Sequence, residues 1–147
     1  MLKSIVAWFQ SESVEQPGSV TDPLDLAAAA LMVEVALADH HMADEELKHL
    51  KSSIMDFTTL SDDACTSLID TAITEVDKAT SLHQFTRLLN ETFSLEQKNH
   101  LLVLLWKIAH ADQVLDKQEE HIIRRIADLL HLRHSEFMQA KHKALQS

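Results

Sequence analysis

Glycine, proline and tyrosine are nearly missing from this 147-residue chain, which has one Gly, two Pro and no Tyr. One glycine cannot build a Gly-rich phosphate-binding loop, and neither Gly-x-Ser-x-Gly nor His-Glu-x-x-His occurs, which argues against the commonest nucleotide, hydrolase and zinc-protease signatures. Scarce turn residues and few strand-favouring aromatics also disfavour hairpins and leave helices. The single Cys65 closes no internal disulfide and belongs to no Cys-x-x-Cys pair, so a reducing cytoplasm is the expected compartment. Asp62, Asp63 and Asp70 surround that thiol in sequence and would raise its pKa instead of activating it, which makes Cys65 a small core residue.

Positive charge is also scarce: 13 Lys and Arg face 23 Asp and Glu, for a formal charge of −10. Nucleic-acid affinity depends on basic groups that neutralise phosphates, so no nucleic-acid partner is expected. No apolar run approaches the roughly 20 residues of a membrane span. Residues 1–10 lack the apolar stretch and small-residue cleavage pattern of a signal peptide and read as retained.

What the chain does have is helical periodicity. Leu2, Ile5, Val6 and Phe9 mark an N-terminal amphipathic helix that docks on the domain, a partner or a membrane surface. The polar stretch Ser11 to Thr21, with Pro17 and Gly18, reads as a linker, giving a division into 1–21 (helix and linker) and 22–147 (globular domain). Asp22-Pro23 opens a helix to about Asp39 that is apolar nearly all round. Helices follow over Asp44 to Phe57, with Leu47, Leu50, Ile54 and Phe57 inward, and from Ser61 to about Val76, burying Leu68, Ile69, Ala72 and Val76. Ser81 is expected to cap a short helix bearing Phe85, Leu88 and Leu89. Ser94 and Gln97 form a capping box for a second apolar helix through Leu101–Trp106 and Ala109. Asp116 and Glu119 form another, ahead of Ile122, Ile123, Ile126, Leu129 and Leu130. A last helix after His134 presents Phe137, Met138 and Ala144. The fold class is all-α, a single compact domain of about eight helices, with the two apolar helices at its centre. Glu34 and Arg87 are expected to pair, because a buried charge needs a partner.

The pattern repeats once, at a register of 73 residues from Asp39 to Asp112. Leu-Met-Val-Glu-Val-Ala-Leu-Ala-Asp parallels Leu-Leu-Trp-Lys-Ile-Ala-His-Ala-Asp, and Met42, Glu46, Leu50 and Ile54 match Leu115, Glu119, Ile123 and Ala127. Asp39 and Asp112 sit near helix C-termini, where a carboxylate is disfavoured by about 0.3–1 kcal/mol. Glu46 and Glu119 lie in the first turn of the following helices, within chain reach of their loop's Asp. Hard cations such as Ca²⁺ or Mg²⁺ favour such oxygen ligands, but neither loop has the alternating ligands of an EF-hand, so binding should be weak. Capped helical hairpins without any cation are the competing reading.

Ala38-Asp39 and Ala111-Asp112, each followed seven residues later by Glu, resemble the paired Ala-Asp-Gly-x-x-x-x-x-Glu segments of the tellurite-resistance TerB family, which includes the N-terminal part of DjlA co-chaperones. Thr86-Arg87-Leu88-Leu89-Asn90 and the run from Leu101 to Leu130 are similar to the same family. The likeness covers most of Leu24 to Leu145. His40 and Gln113 stand where the family has Gly, a residue that eases left-handed backbone. No His-Pro-Asp tripeptide marks a J domain. The resemblance implies an all-helical fold of pseudo-symmetric halves, divalent-cation binding, and a role in bacterial stress or tellurite resistance through a protein partner.

Ten His residues suggest a different class, a metal-dependent enzyme using Asp39, His40, His41 and Glu46. Glu46-Leu47-Lys48-His49 has the Glu-x-x-His spacing of di-iron bundles, but no second copy accompanies it. Convergence of these side chains around an open metal position would favour an enzyme; a shallow acidic surface would favour a non-catalytic module.

Overall fold

A computed structural model describes residues 22–38, 44–58, 60–111 and 117–146, the side chains of 44–46 excepted. Its described residues form seven helices and no strand: α1 (Pro23–Ala36), α2 (Asp44–Phe57), α3 (Asp62–Lys78), α4 (His83–Thr92), α5 (Leu95–Ala109), α6 (Lys117–Leu129) and α7 (His134–Leu145). The expected helix of residues 1–10 lies outside the described residues.

Local chemistry explains most boundaries. Asp22 Oδ1 accepts from the Leu24 amide at 2.8 Å, and Pro23 follows in the first turn, where its missing N–H is harmless. At α5 the Ser94 hydroxyl accepts from Gln97 N–H at 3.1 Å, while Gln97 Oε1 accepts from Ser94 N–H at 2.8 Å. Ser61 caps α3 through the Ala64 amide. The expected cap at Ser81 does not form: α4 starts one residue later than that cap would place it, behind Leu82, which buries its side chain and makes no side-chain cap. Burial of Leu82 and Phe85 sets that boundary. The Asp116 cap lies outside the described residues.

α1 and α5 form the centre. Every residue of α1 from Leu26 to Ala36 except Glu34 is buried, as are Leu101–Trp106, Ile108 and Ala109 of α5. The two helices pack on each other; α1 also touches α2, α3, α4 and α6, and α5 touches α2, α6 and α7. Leu50 and Ile54 are inward as expected, but Leu47 is 44% exposed, so the buried stripe of α2 is narrower than its apolar residues suggest. Met138 is likewise exposed on α7, where Phe137, Ala140 and Ala144 do the packing. Cys65 is fully buried, and burial pushes its thiol pKa up.

The repeat holds down to single hydrogen bonds. Both apolar helices end at equivalent residues, Ala36 and Ala109, and α2 and α6 begin at the equivalent Asp44 and Lys117. Leu37 N–H donates to Val33 and His110 N–H to Trp106, while Ala38 N–H donates to Val35 and Ala111 N–H to Ile108, the last two both at 3.2 Å. Leu50, Ile54, Ile123 and Ala127 are all buried. The hairpins α1–α2 and α5–α6 are thus two versions of one helical unit, with α3 and α4 between them.

The expected Glu34–Arg87 pair does not form. Arg87 is exposed and its Nε lies 4.0 Å from Glu91 one turn along α4. Glu34 is half-buried, and desolvation raises its pKa. Reaching partly to solvent satisfies Glu34 without a buried cation.

Candidate functional site

Two surfaces, at opposite ends of the central helices, carry chemistry. The first lies where α1 and α5 end. Ala38, just past α1, lines one depression of about 420 Å³ with Lys117, Gln118, His121 and Ile122 of α6. Ala38 follows the end of α1 in the first hairpin and Lys117 opens α6 in the second, so these two equivalent connections of the repeat are bordered by one shared depression.

Of the four expected metal ligands, Asp39 and Asp112 fall outside the described residues, and Glu46 stands in the first turn of α2 with its side chain outside them. Glu119 alone is fully described. Its side chain is 1% exposed in the first turn of α6, so it is an interior carboxylate and not a solvated helix-face residue. A helix N-terminus favours an anionic oxygen there. The described residues alone contain no group of three His, Cys, Asp or Glu able to hold a metal; a complete ligand set would have to draw on Asp39, Glu46 and Asp112. Oxygen donors of that kind suit Ca²⁺ or Mg²⁺. His40 and His41 of the enzyme reading lie outside the described residues, His49 is exposed on α2, and His110 stacks on the Trp106 ring at 5.8 Å.

The second surface is a groove of about 1120 Å³ at the N-terminal ends of α1 and α5, with the end of α2 and one side of α7 as its walls. Its floor is aromatic: the Phe57 ring lies 5.6 Å from Phe93 and stacks at 5.5 Å and 10° on His100. His100 Nε2 also meets Asp56 Oδ2 at 3.3 Å. Asp22, Asp25, Asp56, Glu96 and Glu136 outnumber Lys107 and Lys143 around it. Burial, and secondarily the neighbouring Asp22 carboxylate, raise the Asp25 pKa from 3.8 to about 6. Sequence reading missed this groove, since Asp25 is explained by the helix dipole and Phe57 by the core; the available signal was two aromatics at helix boundaries beside an acidic start.

Comparison with known proteins bears on the chain as a whole. The family model for tellurite resistance protein TerB matches residues 25–142. The chain belongs to the TerB family. That match spans both repeats, all seven described helices but the ends of the first and last, and both acidic segments. No curated protein and no solved structure matches this TerB-family chain. Asn90, which ends the Thr86-Arg87-Leu88-Leu89-Asn90 stretch, has a structural role: its Nδ2 donates at 2.8 Å to the Leu129 carbonyl, tying α4 to the end of α6. Lys98 Nζ donates to the Leu130 carbonyl at 3.1 Å beside it. No described helix is long and apolar enough to cross a membrane.

Proposed function

We propose that this chain is a non-catalytic TerB-family interaction domain of bacterial stress or tellurite-resistance systems, working in the cytoplasm on a protein partner. Its partner-facing surface is the end of the domain that carries both acidic loops. A weakly bound Ca²⁺ or Mg²⁺, held by Asp39, Glu46, Asp112 and Glu119, sets the shape of those loops. The observation that carries this reading is the shared depression of Ala38 with the first turns of α6, which supports convergence of the two loops. The interior position of Glu119 supports it further. A cation there would offset carboxylate repulsion and the unfavourable charge at the ends of α1 and α5.

A ligand that binds only the native state stabilises it. At tenfold excess over its dissociation constant the gain is about 1.4 kcal/mol, or a rise of roughly 3–6 °C in melting temperature. Titration calorimetry and melts of the wild type, Asp39→Asn and Asp112→Asn, with millimolar Ca²⁺ or Mg²⁺ and with chelator, test it. The rise is expected in the wild type and should shrink in both variants. Identical wild-type melting in all conditions would leave the loops as capped turns. A pull-down from cells of origin with and without chelator then tests whether the partner depends on the cation.

A further inference from the structure

We infer that the groove at the N-terminal ends of α1 and α5 is the docking site for residues 2–9 of this same chain, which lie outside the described residues. In this arrangement Leu2, Ile5, Val6 and Phe9 cover the floor formed by Phe57, Phe93 and Val103, and Lys3 meets the acids at the mouth.

Chemical complementarity is the first argument. The groove joins an aromatic and aliphatic floor to a predominantly acidic rim, which is the counterpart of an amphipathic helix with positive charge. Residues 1–10 contain Lys3, no acid, and apolar residues at helical spacing. An apolar helix face laid in a groove, anchored at positions about one turn apart, is a recurrent recognition mode. Asp22 and Asp25 form an acid pair in the groove wall, and burial and then Asp22 both penalise the ionised Asp25, so a cation brought there would offset that penalty.

The tether is the second argument. Asp22 itself belongs to the groove wall, and the 12 residues 10–21 are all that separate it from the segment. Such a linker reaches at most about 40 Å when extended and about 18 Å on average as a flexible coil. The mean span suits a short helix returning to a groove that starts at the linker's own end. Tethering also gives the segment a millimolar effective concentration, well above that of a second copy in dilute solution.

The test uses the full chain, labelled with ¹³C and ¹⁵N, at a concentration where sedimentation shows a monomer. Nuclear Overhauser contacts are expected from the Ile5, Val6 and Phe9 side chains to Phe57, Phe93 and Val103. The Val6 contacts should vanish in an Ile5→Asp/Phe9→Asp variant whose Leu104 and Trp106 core signals stay in place. Absence of those contacts in the wild type would overturn the inference. So would contacts that appear only between differently labelled molecules, which would make the occupant a second copy. Insertion of Trp8 into anionic vesicles with the groove signals unchanged would assign the segment to a lipid surface and also overturn it.

Discussion

The two central helices hold equivalent places in the repeat with opposite side chains. Ala28 and Ala29 of α1 correspond to Leu101 and Leu102 of α5, and all four are buried. The difference follows from surroundings. α1 is enclosed by α2, α3, α4, α5 and α6, so its neighbours must approach closely and small side chains let them. α5 borders the groove along its first turns and fills its side of the core with Leu, Val and Trp106. One backbone plan thus accepts either small or large residues, provided the partners supply the missing volume, as expected of interiors packed near crystal density.

Exchanging the residues across the repeat should break this balance in both directions. Leu101→Ala, which copies Ala28, should cost about 2–5 kcal/mol by leaving a cavity, and Leu104→Ala should cost a similar amount. Ala28→Leu, which copies Leu101, should cost about 1–3 kcal/mol through overpacking. Urea unfolding of the three variants measures these losses. A neutral Ala28→Leu would mean that α1 is not enclosed as closely as described, and a loss below about half a kcal/mol for Leu104→Ala would place α5 outside the centre.

The halves differ again where their second helices stop. After α2, the Thr58 hydroxyl donates back to the Ile54 carbonyl at 2.8 Å. After α6, the corresponding end is held from outside by Asn90 and Lys98. Asn90→Ala leaves the Leu129 carbonyl without that donor and should cost about 1–3 kcal/mol. Thr58→Ala removes only a local bond and should cost less than about 1 kcal/mol. Thermal melts that reversed this order would deny α4 its role as the tie between the halves.

How much of this was legible in the sequence depended on whether a feature was local. Helix caps at Asp22 and Ser94, the helix start at Ser61 and the 73-residue repeat were readable because they rest on neighbouring residues and on periodicity. The core positions of α1 and α5 were readable because neither helix has a broad polar face. Leu47 and Met138 were misplaced because an apolar residue at the edge of a stripe can face water at little cost, and only tertiary packing decides. Glu34 and Arg87 were paired because their apolar neighbours suggested full burial, which the structure gives to neither. The groove was invisible because it joins the ends of helices distant in sequence. Of the acidic-loop ligands, only Glu119 can be compared side chain for side chain, and the capping role read for it did not foretell so complete a burial.

A third contrast lies at the helix starts, where Asp25 in α1 corresponds to Lys98 in α5. Lys98 is matched to a carbonyl, whereas Asp25 is raised to a pKa of about 6 by burial and by Asp22. The folded state therefore holds this proton more tightly than the unfolded chain does. Its stabilising effect is complete below the unfolded pKa near 4 and is lost as pH rises through about 6. Because the side chain is only half-buried, solvent screening leaves an effect of about 1 kcal/mol or less. Asp25→Asn should narrow the stability difference between pH 4 and pH 7 by that amount, mainly by stabilising the protein at pH 7. Parallel pH profiles for the two proteins would show that Asp25 is as well solvated as an exposed acid.

The smallest expected effect concerns the turn after α6, and it runs toward greater stability. His131 has φ 63°, the one left-handed residue among those described. Its neighbours explain why the conformation persists: Leu132 N–H donates to the Ala127 carbonyl at 2.9 Å, His131 N–H to Asp128 at 3.0 Å, and Leu132 is buried. This is the Schellman arrangement that usually places glycine at the left-handed position, since a Cβ there crowds the following carbonyl. The equivalent residue in the first half is Thr58, whose hydroxyl bonds locally instead. His131→Gly removes the Cβ crowding but frees the unfolded chain, so the net gain should be at most about 1 kcal/mol. The same change at Thr58, where no left-handed geometry is required, should only destabilise. A pair of melts decides it: a rise for His131→Gly with a fall for Thr58→Gly would show that the two halves end their second helices by different physical means, while a fall in both would mean that the His131 side chain contributes more to its turn than its backbone strain removes.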